Sequence, residues 1–127
     1  MKYLPFIFAL GTALFWGLYG PTLGKARLAG DVPNPFKPYV GIGIAYLVIA
    51  IAGGLVAMYF RGDKMSIKDF NDGVFYWGLG AGVLGALGAF SLTLAMTYGG
   101  AKIPHAVMPF VFGGAVTVVA LFGVIAL

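Results

Sequence analysis

The chain has 127 residues, of which 61% are hydrophobic and 9% charged, and its net charge is +4. Soluble domains carry about 25% charged residues, so this composition, with a mean hydropathy of +0.96, excludes an ordinary water-soluble domain and points to an integral membrane protein. The lack of cysteine excludes disulfides, thiolate metal sites and cysteine nucleophiles; the basic residues lie in short connections between apolar runs, where they suit lipid head groups rather than nucleic acid.

The first apolar run covers residues 3–23, between Lys2 and Lys25. A basic start before an apolar run is shared with signal peptides. This run is longer than their usual apolar core and no A-x-A site follows it, so a retained transmembrane helix is expected. Ala9, Ala13 and Gly17 form a stripe of small residues, and Gly20 and Gly24 have GxxxG spacing, a weak signal among 21 glycines. Trp16 and Tyr19 fall in the far half, and Pro21 is expected to bend or end the helix. Residues 25–38 follow, with Pro33, Pro35 and Pro38; prolines so close together predict a surface loop, either a plain connector or a docking surface.

A second helix is expected over residues 39–60, with small positions at Gly41, Ala45, Gly53 and Gly54 and with Tyr39 and Tyr59 placed like an aromatic belt. Residues 61–72, RGDKMSIKDFND, form a charged turn in which Ser66 and Asp69 have the spacing to cap the third helix.

The third run, residues 73–98, belongs to a stretch without charge between Asp72 and Lys102. At about 1.5 Å per residue it crosses a hydrocarbon core of roughly 30 Å with length to spare. Gly78, Gly82, Gly85 and Ala89 share one stripe, while Leu79, Val83, Leu87, Phe90 and Leu94 form a bulky face. In lipid, small residues let another backbone come close, so the stripe is expected to pack against a helix. A seam that slides during a transport cycle is the sharper alternative. Gly99 and Gly100 are expected to end this helix. Lys102 then marks the interface, and Pro104 opens a fourth helix over residues 103–127. Pro109 is expected to kink it. At Leu127 either the helix meets the interface or the protein continues.

The expected fold class is therefore all-α integral membrane, a four-transmembrane-helix bundle forming a single transmembrane domain over residues 1–127. Four crossings put both termini on one side. Lys2, Arg61, Lys64 and Lys68 lie there, against Lys25, Arg27, Lys37 and Lys102 opposite. The tie leaves the positive-inside rule without a winner and permits insertion both ways, as in an antiparallel dimer. The α-amino group tips the termini toward the cytoplasm.

None of the four apolar cores contains Asp, Glu, Lys or Arg, which disfavours a carrier driven by an intramembrane carboxylate. His105 is the sole candidate proton carrier; its neighbours Lys102 and Pro104 favour a snorkelling polar residue instead. Thr12, Ser91, Thr93, Thr97 and Thr117 are expected to bond to carbonyls of their own helices. Trp16, Tyr19, Thr93, Tyr98 and His105 are the candidates for lining a substrate cavity, with packing or belt roles as the alternative. No catalytic constellation is present, one histidine cannot make a metal site, and the glycines lack the setting of a phosphate cradle. Neither enzyme activity, a cofactor nor a metal is expected.

Several segments share a pattern. ALFWG, residues 13–17, resembles the ALLWG-type signature in the first helix of EamA-like members of the drug/metabolite transporter superfamily. RGDKMSIKDF, residues 61–70, resembles their basic turn. Leu94 to Tyr98 is similar to the end of their third helix, and residues 101–110, with Ala106, Pro109 and Phe110, resemble the segment that follows. The match spans nearly the whole chain but one half of such a transporter. Family halves have about five helices and this chain has four, and its first connection is longer and richer in proline. The resemblance implies an inner-membrane carrier of small metabolites, or a half-sized relative that pairs with itself or another half. The second reading is a non-catalytic structural or accessory subunit of a larger membrane complex, suited to the empty polar inventory and the glycine stripes. Partners expected on both readings are the lipid bilayer and other membrane helices, in a homo- or hetero-oligomer, without nucleic acid.

Overall fold

The computed structural model describes residues 3–28 and 36–126. Lys2, Pro33, Pro35 and Leu127, to which the sequence assigns roles, lie outside them. All regular secondary structure among the described residues is helical. In order it forms α1 (Leu4–Leu28), α2 (Lys37–Arg61), a 3-10 turn (Ile67–Phe70), α3 (Gly73–Thr97), a second 3-10 turn (Gly100–Lys102) and α4 (Pro104–Ala126). All four α-helices are long and apolar enough to cross a membrane; 25 residues rise about 38 Å.

The boundaries follow from local chemistry. Pro21, expected to bend or end the first helix, does not end it, and α1 also passes the expected limit at Leu23. It continues to Leu28 and takes Lys25 and Arg27 out of the expected loop. Proline removes one N–H, leaving the Gly17 carbonyl without its usual donor. Lipid-spanning helices tolerate that loss, and Lys25-Ala26-Arg27-Leu28 beyond it are all good helix formers. The two cations also lie at the negative end of the helix dipole.

Helix α2 starts at Lys37 with Pro38 in its first turn. It ends at Gly62, whose φ of 73° lets the Asp63 N–H reach the Met58 carbonyl at 3.0 Å. Ser66 and Asp69 do not cap α3. The Asp69 carboxylate accepts the Ser66 N–H at 2.9 Å and so closes the first 3-10 turn. The cap of α3 is Asp72, whose Oδ1 accepts the Phe75 N–H at 2.8 Å. Gly99, at φ 112°, turns the chain after α3 as expected, and α4 opens on Pro104. It continues helical through Pro109.

The chain falls into two compact units. One comprises α1, α4 and the segment from Ala95 that leads into α4; the other comprises the chain from Phe36 through α2 to Leu94 of α3. In the first unit, Leu23, Met96 and Met108 are buried. In the second, α2 buries no residue, and α3 buries Leu92 and Thr93.

Candidate functional site

In the first unit, α1 meets α4. The Trp16 and Phe112 rings stack with centroids 6.0 Å apart. One turn further along α1, the missing side chain of Gly20 makes room for Met108: a Cβ there would lie 2.6 Å from its Cγ and 2.8 Å from its Sδ. Here a missing side chain lets two helices of the chain come close, at one of the two glycines of the GxxxG spacing. Tyr19 is half-buried beside it, and Gly24 meets nothing within 4 Å.

The second unit contains a groove of about 760 Å³ between α2 and α3. Gly54 and Met58 of α2 face Gly78, Gly82 and Val83 of α3 across it, and Phe70 of the 3-10 turn closes its outer end. Its inner end lies at Ala50 and Ala86. There the Tyr39 hydroxyl donates to the Ala86 carbonyl at 3.1 Å, and the Tyr39 ring sits 5.4 Å from that of Phe90. Tyr39, placed by the sequence like a belt residue, thus reaches onto α3. A hydroxyl in hydrocarbon gains by finding an acceptor. Phe36 adds a second ring, stacked on Phe90 at 6.2 Å.

Of the expected packing stripe, Gly78 and Gly82 line this groove. A methyl added at Gly78, Gly82 or Gly85 would meet nothing within 4 Å, and Ala89 is half-buried. The stripe thus borders open space within its own chain.

The cavity candidates divide between the units: Trp16, Tyr19, Tyr98 and His105 belong to the first and Thr93 to the second. Thr93 is fully buried and donates to the Ala89 carbonyl at 2.9 Å. Thr12 and Thr117 bond to their own helices in the same way, to Phe8 and Gly113. Tyr98 is 86% exposed, and His105 is exposed in the first turn of α4. Among the described residues no group of three or more His, Asp or Glu side chains is placed to hold a metal.

Sequence reasoning missed the aromatic ends of the groove. Phe70 and Phe75, with centroids 5.7 Å apart, looked like parts of a turn and a helix start. The charged connection beside them is locally ordered. Arg61 pairs with Asp63 at 3.2 Å, and the Tyr76 hydroxyl donates to Asn71 at 2.6 Å.

Four long apolar helices and their exposed apolar side chains define a multi-pass membrane protein. No family model matches the chain, and no curated protein or solved structure matches it either.

Proposed function

We propose that the chain is one half of an EamA-like carrier of small metabolites in the inner membrane, completed by a second copy or by a partner half. The observation that carries this reading is α2. None of its residues is buried, and Ile44, Tyr46 and Leu47 are each more than half exposed. Helix association in lipid comes from packing rather than from exclusion of water, so a span that buries none of its residues keeps surface free to receive another chain. A shallow depression at Ala45, Tyr46 and Ile49 gives that surface relief for packing. The order of the ALFWG, RGDKMSIKDF and Leu94–Tyr98 segments supports the carrier role, and the even split of basic residues suits an antiparallel pair with its termini on either side.

A second reading, an accessory subunit of a larger complex, is favoured by one observation. Residues 3–24, 38–60, 73–101 and 103–126 contain no Asp, Glu, Lys or Arg, which leaves coupling to another chain. Purification in mild detergent followed by reconstitution separates the two. The carrier reading expects a dimer or a two-component complex that moves labelled small metabolites into vesicles. Absence of flux from the intact complex, with a working control carrier alongside, counts against it. Recovery as an isolated small species removes the accessory reading.

A further inference from the structure

We propose that the connection between α2 and α3 is a membrane-surface anchor: its 3-10 turn lies along the bilayer boundary and sinks Ile67 among the acyl chains just below the head groups. This lipid contact is independent of whether the protein transports anything. The turn is Ile67–Phe70. In 3-10 geometry the side chains at i and i+3 eclipse, so Ile67 and Phe70 share one face, and Lys68 and Asp69 turn away from it. Phe70 fixes which way that face looks. Its ring meets the Phe75 ring of α3 edge to face at 5.7 Å, and it lines the apolar groove between the two spans. The face that carries Phe70 is therefore continuous with the apolar surface of α2 and α3. Ile67, on the same face, is 90% exposed, and an apolar side chain so placed gains by meeting hydrocarbon instead of water.

The polar groups and the neighbouring rings agree with this placement. The Asp69 carboxylate accepts the Ser66 N–H at 2.9 Å, which holds the polar side of the turn in shape. The Tyr76 hydroxyl donates to Asn71 at 2.6 Å, so Tyr76 keeps its polar tip at the connection and its ring along α3, as belt residues do. Phe60 in the last turn of α2 and Trp77 in the second turn of α3 are exposed, rings suited to the same boundary level. Arg61, Lys64 and Lys68 balance Asp63, Asp69 and Asp72. The connection thus carries no net charge, and the anchor rests on apolar contact rather than on attraction to anionic lipid.

The test uses the full chain reconstituted in phosphatidylcholine bilayers, with one cysteine at a time introduced into the cysteine-free sequence and a nitroxide attached to it. Relaxation of the nitroxide by oxygen, which concentrates in hydrocarbon, is compared with relaxation by a neutral nickel chelate, which stays in water. In Ile67→Cys oxygen should be the stronger relaxant and in Lys68→Cys the chelate, which places the label at position 67 deeper by about 5 Å. Both side chains are exposed, so neither substitution removes packing, and circular dichroism checks the helices. Equal depth at the two positions, or stronger relaxation by the chelate at position 67, overturns the proposal. So does exclusion of both relaxants at position 67, which would place another protein chain over the turn. Repeating the measurement in equal phosphatidylcholine and phosphatidylglycerol should leave the depth at position 67 unchanged; insertion that requires phosphatidylglycerol also overturns it.

Discussion

Gly20 and Gly82 are both helical glycines in apolar spans, and an alanine at each should have opposite effects. At Gly20 the new methyl would lie 2.6–2.9 Å from three atoms of Met108, against the roughly 3.5–4.0 Å of a relaxed carbon contact. The Met108 side chain must therefore move by about 1 Å, and at 8% exposure it has little space to move into. Overpacking of this kind costs about 1–3 kcal/mol. Alanine regains about 0.5–1 kcal/mol of helix propensity, and the restriction on a residue preceding proline removes part of that gain. The net expectation is a loss of about 1 kcal/mol for Gly20→Ala and about 3 kcal/mol for Gly20→Leu. At Gly82 nothing opposes the methyl, so Gly82→Ala should gain about 0.5 kcal/mol. Unfolding in mixed micelles by titration with sodium dodecyl sulfate, followed by circular dichroism, measures both. A double-mutant cycle with Met108→Ala isolates the clash, because that change should relieve Gly20→Leu by about 1–2 kcal/mol. The reasoning is refuted if Gly82→Ala loses as much stability as Gly20→Ala, or if the cycle shows no coupling.

Three further outcomes are expected. Asp72→Ala removes the cap of α3 and should cost about 1 kcal/mol, while Asp69→Ala, which loosens only the short turn before it, should cost less; the same titration compares them. Tyr39→Phe keeps the ring contact with Phe90 and loses the hydrogen bond to Ala86. A cost of about 0.6 kcal/mol is expected, with faster hydrogen exchange at the start of α2; unchanged exchange would argue that the bond does not hold the helices together. Gly99→Ala places a Cβ at φ 112° and should destabilise the turn into α4 by about 1–3 kcal/mol, whereas Gly73→Ala, at a position with negative φ and open space, should be neutral.

The fold class and the approximate spans were legible in the sequence because they depend on one-dimensional quantities. Runs of more than 20 uncharged residues, ended by Lys25, Arg61, Asp72 and Lys102, have a single outcome in lipid, where the backbone must satisfy its own hydrogen bonds. Gly99 and Pro104 were readable for a similar reason, since their conformational limits are local. Pro21 misled because its cost is also local, one missing hydrogen bond, while continuation of the helix to Leu28 draws on the whole segment. Ser66 and Asp69 misled through spacing alone: the capping pair is present but closes the short turn, and Asp72 begins α3.

The sequence by itself determined that this is a membrane protein of four apolar spans with no charge within their cores. Which glycine meets a neighbour was decided only in three dimensions. Gly20 and Gly82 read alike along the chain, yet Met108 fills the space beside one, while the other borders a groove between Phe70 and the Tyr39–Ala86 bond. The difference arises because close packing depends on the rotation of two helices about their axes and on the side chain opposite, and neither is encoded in the spacing of small residues on one helix.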